Sequence, residues 1–389
     1  MVALVTLATV GCAGNVTEDG SSESLDALGP DTGVNDPTEE GGLSSPPDSP
    51  ASDTDPPSDA TSAVDTGTGD PAKPPPLAKL ACNGDPPAGA KAPPPLPTYA
   101  GACPTLASAP AANAITSSGA SRSFKLAIPA GLDPKEKLPV IFLWHWLGGD
   151  AQGFYDKGEI QNAVDKQRFL AIIPESKKNA SGKKVYQFQW PATLLDSEAA
   201  VAEETKFMDD MLACVAKQFP TVNANCISTG GVSAGALWTD QLAWRKSAML
   251  SSFISMSGGI NASFAKSWGP TARHVPGLVL WGGPTDSCGG LANFQSASQS
   301  LEGSMAGDGS FMIECVHNCG HAAPPVEPPP GFSVFSGIWN FAFDHPYWLG
   351  TGESPYKATG VPKSLPPWCA IGKGAATPRT GACPTASAC

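Results

Sequence analysis

A serine between small residues is the first candidate for chemistry in this sequence. Ser233 lies in the run Gly231-Val-Ser-Ala-Gly235, after a β-prone segment that begins at Cys226 and before a segment with helical periodicity. A strand that turns into a helix within about two residues strains the residue at the bend and lifts its hydroxyl clear of the sheet. The amide of Ala234 would then lie at a helix N-terminus, where it could stabilise an oxyanion. The alternative is a glycine-rich turn with an incidental serine, but the flanking strand and helix patterns favour a nucleophile.

A nucleophilic serine needs a base, and the base needs a carboxylate that orients it. On a parallel sheet with such a bend, the order along the chain is serine, acid, histidine. Asp286 follows the apolar run 277–281, at the carboxyl end of a predicted strand. Of the five histidines, His317 and His321 follow the next predicted strand. We predict His321 as the base, because Gly320 gives it a longer and more flexible loop.

The same loop could instead hold a metal ion. Cys315, His317, Cys319 and His321 are residue types that bind zinc, and they lie close together in the chain. Disulfides are the preferred interpretation for the two cysteines, since the chain has eleven cysteines and an even ten remain once Cys12 is set aside for a lipid. No metal and no cofactor are therefore predicted.

Chain order suggests how the cysteines pair. Cys214 and Cys226 flank the end of a predicted helix and the start of the strand before the serine, so we expect them to be bonded to each other. Cys288 follows the candidate acid and is expected to bond Cys315 or Cys319.

The two ends of the folded part share a motif. The pentapeptide Gly-Ala-Cys-Pro-Thr occurs at 101–105 and again at 381–385. It is too short to be a domain repeat, and we predict that both copies are held by disulfides.

Apolar runs alternate with helical periodicity from about residue 115 onwards. The predicted strands are 122–128, 138–144, 169–174, 252–256, 277–281 and 311–315, together with the run before Ser233. The predicted helices are 157–167, 197–219 and 332–344, together with the segment after Ser233. The first strand alternates apolar with polar residues, which predicts a half-buried edge strand. The whole pattern predicts an α/β fold with a mostly parallel sheet and helices on both faces, and ligands then bind beyond the carboxyl ends of the strands.

Two pairs of acids lie on the predicted helix 197–219. They are Glu203-Glu204 and Asp209-Asp210. Paired carboxylates can serve in acid/base catalysis. Because these mostly lie away from the apolar stripe of the helix, we interpret them as a solvated face.

Residues 1–98 have the composition of a disordered linker. They contain seventeen prolines and no Phe, Trp or Tyr, so they cannot bury enough apolar surface to offset the entropy of ordering. Residues 1–100 hold fifteen acids and three lysines, whereas acids and bases balance in 101–389. The folded part is therefore neutral, and no basic patch indicates binding to nucleic acid or to an anionic membrane.

The first twelve residues are an apolar run that ends in Gly11-Cys12. This run resembles the end of a bacterial lipoprotein signal peptide, in which the cysteine is lipidated, and the alternative is an ordinary frayed N-terminus. A signal peptide usually has Lys or Arg before its apolar run, and none is present here. A start codon assigned too far downstream would explain their absence. The predicted organisation is a signal segment at 1–12, a disordered linker at 13–98 and a catalytic domain at 99–389.

Several motifs together resemble one family. They are Gly231-Val-Ser-Ala-Gly-Ala236, His145-Trp-Leu-Gly-Gly149, Gly282-Gly-Pro-Thr-Asp286, Gly320-His321 and Trp339-Asn-Phe-Ala-Phe-Asp-His-Pro346. By their order over residues 120–348, the chain resembles the α/β-hydrolases of the polyhydroxybutyrate depolymerase and feruloyl or acetylxylan esterase type.

The resemblance implies a role for each matching residue. Ser233 would be the nucleophile, Asp286 the acid and His321 the base. The amides of Leu147 and Ala234 would form the oxyanion hole. The family usually has His-Gly-x-Gly in the turn after the first buried strand, whereas this chain has Trp146 in the first glycine position.

Trp146 is consequently our candidate for an aromatic contact with the substrate. For Trp144, Trp238 and Trp281, which also lie near the catalytic turns, packing is the preferred interpretation.

The function expected from this sequence is that of a secreted or lipid-anchored monomeric serine esterase. Its substrate would be an ester, possible classes being short-chain polyester and feruloyl or acetyl esters of plant polysaccharide. Membrane association would come only through a lipid on Cys12. Two alternatives remain open, a serine peptidase of the same fold and a non-catalytic surface binding protein on a hydrolase scaffold.

Overall fold

The computed structural model describes residues 81–260, 264–290, 292–385 and 387. The predicted signal segment 1–12, the lipidation site Cys12 and residues 13–80 of the predicted linker lie outside these residues. Cys82, in the remainder of that linker, is fully buried and disulfide-bonded to Cys226. The side-chain amide of Asn223 also donates to the carbonyl oxygen of Cys82 at 2.8 Å. The predicted linker is therefore fixed to the folded domain at Cys82.

Nine of the described strands form one sheet, in the order β1-β2-β4-β3-β5-β6-β7-β10-β11. Their bounds are β1 (Ala112–Ser117), β2 (Ala120–Ala127), β3 (Leu138–Trp144), β4 (Leu170–Pro174), β5 (Val222–Val232), β6 (Ser252–Met256), β7 (Gly277–Trp281), β10 (Met312–Val316) and β11 (Cys369–Ile371). Strands β8 (Ser287–Cys288) and β9 (Ala292–Asn293) form a separate antiparallel pair. The six central strands from β4 to β10 are parallel, while β1, β2 and β11 pair antiparallel with their neighbours.

Helices cover both faces of this sheet. Their bounds are α1 (Ala151–Lys157), α2 (Ile160–Gln167), α3 (Glu198–Gln218), α4 (Ala234–Arg245), α5 (Phe294–Asp308), α6 (Ser336–Asp344) and α7 (Tyr356–Thr359). Helices α3, α4 and α5 contribute to one apolar cluster, and α1, α2 and α6 contribute to a second. All side chains of β3, β4, β6, β7 and β10 are buried, as expected for strands covered on both faces. The predicted α/β class is therefore confirmed.

The prediction of 122–128 as an edge strand is wrong. Strand β2 is covered by β1, which pairs with it antiparallel from Ala112 to Ser117. In strand β1 every second residue is buried, but two of the three buried residues, Asn113 and Ser117, are polar. The sequence therefore shows no apolar/polar alternation there and gave no strand signal.

The predicted helix 157–167 is replaced by two shorter helices. Helix α1 begins after Asp150, whose carboxylate accepts from the amide of Gly153 at 2.7 Å. The chain then breaks at Gly158 and Glu159, where Glu159 has a left-handed φ of 48°. Helix α2 follows from there and ends at residue 167, as predicted.

The acidic pairs on α3 are only partly solvated, which corrects our interpretation of them. Glu204 is fully buried and forms a two-point ion pair with Arg122 on β2, at 2.7 Å and 2.9 Å. Asp210 is buried as well, and it accepts from the hydroxyl of Ser117 at 2.7 Å. One acid of each pair therefore turns toward the sheet, where it fixes α3 against the antiparallel edge.

The predicted bond between Cys214 and Cys226 does not form. Cys214 bonds Cys103, and Cys226 bonds Cys82. The reason is topological, because Cys214 belongs to the apolar cluster on one face of the sheet and Cys226 to the cluster on the other. The sheet itself separates two cysteines that are close in the chain.

The predicted partners of Cys288 are also wrong. Cys315 bonds Cys369, its direct neighbour across the antiparallel pair β10 and β11. Cys319 bonds Cys383. Cys288 is disulfide-bonded too, but not to either predicted partner.

Both copies of the Gly-Ala-Cys-Pro-Thr motif are disulfide-held, as predicted. The first is bonded through Cys103 and the second through Cys383. Disulfides of this number indicate folding in an oxidising compartment.

A pair of buried carboxyl groups lies between α5 and β10. Glu302 is fully buried and Glu314 is nearly so. Burial, and then the charge of Glu314, raises the pKa of Glu302 to about 8. The indole of Trp281 donates to Glu302 at 3.3 Å.

Glu302 predicts a pH dependence of stability. Because the pKa of Glu302 is raised on folding, the folded state holds a proton that the unfolded state has already lost between about pH 4.5 and pH 8. The free energy of unfolding should therefore fall as the pH rises through that window, by up to about 5 kcal/mol. Glu302→Gln cannot titrate and should flatten this slope in denaturant titrations at pH 5, 6, 7 and 8. Glu353→Gln, on the exposed surface, is the matched control, and parallel curves for Glu302→Gln and wild type would contradict the prediction.

Candidate active site

The bend at Ser233 has the geometry that its flanking residues predict. Strand β5 ends at Val232, α4 begins at Ala234, and Ser233 between them has φ 55° and ψ −119°. A Cβ atom at Gly231 would come within 2.2 Å of the Gly235 carbonyl oxygen, which leaves no room for a side chain there. A Cβ at Gly235 would come within 2.0 Å of the carbonyl oxygen at the end of β3. Glycine is therefore required on both sides of the serine.

Three of the predicted site residues lie in one hydrogen-bonded chain. The hydroxyl of Ser233 is 2.8 Å from Nε2 of His321. Nδ1 of the same ring is 2.7 Å from a carboxylate oxygen of Asp286. The three residues follow the carboxyl ends of the parallel strands β5, β7 and β10. Each side chain is almost fully shielded from water, and Asp286 is completely buried.

Two further groups hold Asp286 in place. Its second carboxylate oxygen accepts from the hydroxyl of Ser257 at 2.8 Å and from the amide of Gly282 at 2.7 Å. With the carboxylate fixed, Nδ1 of His321 carries the hydrogen that it donates to Asp286, and Nε2 is left to accept from Ser233. The ring of Phe294 stacks on His321 with centroids 4.2 Å apart, which restrains the imidazole plane.

His317, the second candidate base, has a structural environment instead. Its ring is fully buried, and Nδ1 accepts from the amide of Cys319 at 3.2 Å. Burial lowers the pKa of His317 to about 4. Cys315 and Cys319 are both consumed by disulfides, so this loop does not supply thiolate ligands for zinc.

The turn between β3 and α1 brings Leu147 to the same place. Leu147 borders the pocket that also contains Ser233 and His321. Among the residues that the structure describes, the amides of Leu147 and Ala234 have no hydrogen-bond acceptor. Both amides are therefore free to donate, that of Ala234 directly after Ser233 and that of Leu147 in the turn that borders the same pocket.

An apolar pocket of about 250 Å³ opens above the serine. It is lined mainly by aromatic and aliphatic side chains, namely Trp146, Leu147, Phe154, Phe188, Val232, Phe294, Ala322, Ala323, Pro324 and Phe335. Trp146 is part of this wall. Its ring lies 6.1 Å from that of Phe154 between centroids, and the amine of Lys157 lies over it in a cation–π contact at 4.9 Å from the ring centroid. Trp144, Trp238 and Trp281 are buried in the core, as expected for packing residues.

Sequence reasoning missed Ser257 and Phe294 as members of the site. Ser257 directly follows β6, so the rule that ligands bind at carboxyl ends of strands could have found it. Ser257 has a left-handed φ of 53°, which the sequence does not predict, because such a conformation is expected mainly at glycine. Phe294 begins α5, and nothing in its local pattern distinguishes it from a core residue.

The comparisons with known proteins concern the fold. No family model and no curated protein matches the chain. The crystal structure of native pOPH aligns with a TM-score of 0.55 at 15% identity, over 70% of this chain and 97% of that one. Native sOPH aligns with a TM-score of 0.54 at 17% identity, over 70% of this chain and 98% of that one.

The chain has the α/β-hydrolase fold. Its parallel strands, the strand-to-helix bend at Ser233 and the order Ser233, Asp286, His321 are the arrangement of that fold. At this level of identity the likeness concerns the fold, and the chemistry follows from the side chains themselves.

The contact between Ser257 and Asp286 yields a prediction. Ser257→Ala removes a hydrogen bond to a buried carboxylate, which is worth about 1.5 kcal/mol, and it loosens the carboxylate that orients His321. We expect kcat/KM for a p-nitrophenyl ester to fall about tenfold. Ser228→Ala, which removes a buried hydroxyl bonded to Ser251 and Ser252, is the control for loss of stability alone. If both variants lose activity only in proportion to unfolding, Ser257 does not act on the site.

Proposed function

We propose that this protein is a serine hydrolase that cleaves carboxylic esters through an acyl-enzyme on Ser233. The observation that carries the proposal is the unbroken chain of hydrogen bonds from Ser233 through His321 to Asp286, at 2.8 Å and 2.7 Å, beneath an apolar pocket. Nucleophile, base and orienting acid within hydrogen-bond reach are the requirements of acyl transfer.

In the first half of the reaction, Oγ of Ser233 attacks the ester carbonyl carbon while Nε2 of His321 takes the hydroxyl proton. The carbonyl oxygen becomes an oxyanion, and the amides of Leu147 and Ala234 donate to it. Asp286 stabilises the imidazolium that has formed. The tetrahedral intermediate then collapses, and the alcohol leaves with the proton from His321.

In the second half, a water molecule replaces the alcohol. Nε2 of His321 accepts a proton from this water as its oxygen attacks the acyl carbon. A second tetrahedral intermediate forms at the same two amides. Its collapse returns the proton to Oγ of Ser233 and releases the carboxylic acid.

The substrate proposed is an ester with a compact apolar or aromatic acyl group. A pocket of about 250 Å³ walled by Trp146, Phe188 and Phe294 offers dispersion contacts and few polar partners. Units of a hydroxybutyrate-type polyester and feruloyl groups meet this description. An acetyl group would leave most of the wall without contact.

The proposed location is outside the cytoplasm, either secreted or anchored by a lipid on Cys12. The support is the set of disulfides in the folded domain together with the lipoprotein-like run before Cys12. None of the described helices is both long enough and apolar enough to cross a bilayer.

Replacement of the nucleophile tests the proposed reaction. Ser233→Ala should lower kcat for p-nitrophenyl butyrate by about 10⁴-fold or more, because the acyl-enzyme cannot form. A fluorophosphonate probe should label wild type at Ser233, as located by peptide mass spectrometry, and should not label the variant. Peptide anilides assayed beside the ester would reveal a peptidase. Full ester hydrolysis by Ser233→Ala would exclude the proposal.

Trp146 predicts the acyl preference. Trp146→Ala should raise KM for methyl ferulate about tenfold, because a ring that contacts the aromatic acyl group is lost, and should change KM for p-nitrophenyl acetate by less than about threefold. Trp146→Phe should keep most of the preference. Trp268→Ala, a tryptophan outside the pocket, is the control. An equal rise in KM for both esters would show that Trp146 does not contact the acyl group.

A further inference from the structure

A buried glutamine, Gln189, forms hydrogen bonds with the backbone of the turn that contains Leu147. Gln189 is almost completely buried and has a left-handed φ of 65°. Its side-chain oxygen accepts from the amide of Gly148. Its side-chain nitrogen donates to the carbonyl oxygen of Gly149 at 3.1 Å and to the hydroxyl of Ser176 at 3.0 Å. Both donor hydrogens and the acceptor oxygen of the glutamine amide are therefore in use.

The orientation of this amide is set by its partners. The Gly148 amide can only donate and the Gly149 carbonyl can only accept. A flipped glutamine would bring like groups together at both positions, an amide nitrogen against the Gly148 amide and an amide oxygen against the Gly149 carbonyl oxygen, and both hydrogen bonds would be lost. The next residue, Trp190, holds the start of the same turn, because its indole donates to the carbonyl oxygen of His145 at 2.9 Å.

The turn itself determines where the Leu147 amide points. The carbonyl oxygen of Trp146 accepts from the amide of Gly149 at 3.0 Å, and Nδ1 of His145 lies 3.0 Å from it. That carbonyl shares a trans peptide plane with the Leu147 amide, so the N–H points the opposite way, out of the turn. The hydrogen bonds of Gln189 fix the Leu147–Gly148 peptide group through its N–H and the Gly149–Asp150 peptide group through its carbonyl oxygen, and so keep the turn closed.

We propose that Gln189 is a positioning residue for the oxyanion hole, acting through Gly148 and Gly149 on the direction of the Leu147 amide. The inference rests on the proposed esterase reaction, in which that amide donates to the oxyanion. Gln189 does not border the pocket, so its effect falls on the transition state and not on binding of the ground-state ester. A donor displaced by a fraction of an ångström loses much of its effect on the oxyanion.

Kinetics of Gln189→Ala test this role. We expect kcat for p-nitrophenyl butyrate to fall about 10- to 100-fold, with KM changed by less than about threefold. The matched control is Gln167→Ala. Gln167 is an equally buried glutamine that donates to Ser336 and Asn340 far along the chain, and its loss should cost stability without changing kcat.

A trifluoromethyl ketone inhibitor gives a readout that a purely structural role would not move. Oγ of Ser233 adds to the ketone carbon, its proton passes to His321, and the carbonyl oxygen becomes an oxyanion in the hole. The affinity of Gln189→Ala for this inhibitor should fall by about the same factor as kcat/KM. If the alanine variant does not fold, Gln189→Met, which retains the volume without hydrogen bonds, takes its place.

The outcomes separate this inference from the proposed function. Loss of activity in Ser233→Ala together with unchanged kcat and unchanged ketone affinity in the Gln189 variant would overturn the role of Gln189 alone. Full activity of Ser233→Ala would overturn both. A fall in kcat that tracks only the unfolded fraction in thermal melts, with Gln167→Ala behaving alike, would also reject the inference.

Discussion

The conformation of Ser233 is the constraint on which the rest of the site depends. A non-glycine residue at φ 55° costs about 1–3 kcal/mol, and it persists only where its surroundings determine it. Here the surroundings are the contacts at Gly231 and Gly235, which bring α4 against the ends of β5 and β3. The amide of Ser233 also donates to the Met256 carbonyl oxygen at 2.9 Å, so β6 holds the bend from the other side. The strain is offset by packing around β3 and β6, whose side chains are all buried.

The acid and the base depend on a second close approach, between the loops that follow β7 and β10. A Cβ at Gly282 would come within 1.9 Å of the Gly320 carbonyl oxygen, and the amide of Gly320 donates to the Gly282 carbonyl oxygen at 3.0 Å. Asp286, four residues after Gly282, and His321, directly after Gly320, reach each other for that reason. The disulfide from Cys319 to Cys383 fixes the second loop next to the histidine. The short distance between His321 and Asp286 is thus a consequence of backbone packing. The bend at Ser233 then places the hydroxyl within hydrogen-bond distance of Nε2 of His321.

Local patterns in the sequence predicted the parts of the molecule that depend on local physics. Buried parallel strands are apolar throughout, and the bend needs its glycines, so the central sheet and the order of the three candidate residues could be predicted. The disulfides could not, because Cys214 and Cys226 are close in the chain but lie on opposite faces of the sheet. The burial of Glu204 could not either, because its partner Arg122 comes from a strand 82 residues away. Tertiary pairing of polar groups leaves no periodic signal.

The turn after β3 shows how a departure from the pattern of the resembling family can be accommodated. Trp146 stands where that family usually has glycine, and an indole at this position needs space. Gly149 provides this space, since a Cβ there would come within 2.8 Å of the Trp146 ring. Gly148 has a φ of 84°, which favours glycine again. Two glycines make a loose turn on their own, so the side chain of Gln189 must supply the rigidity that the backbone lacks.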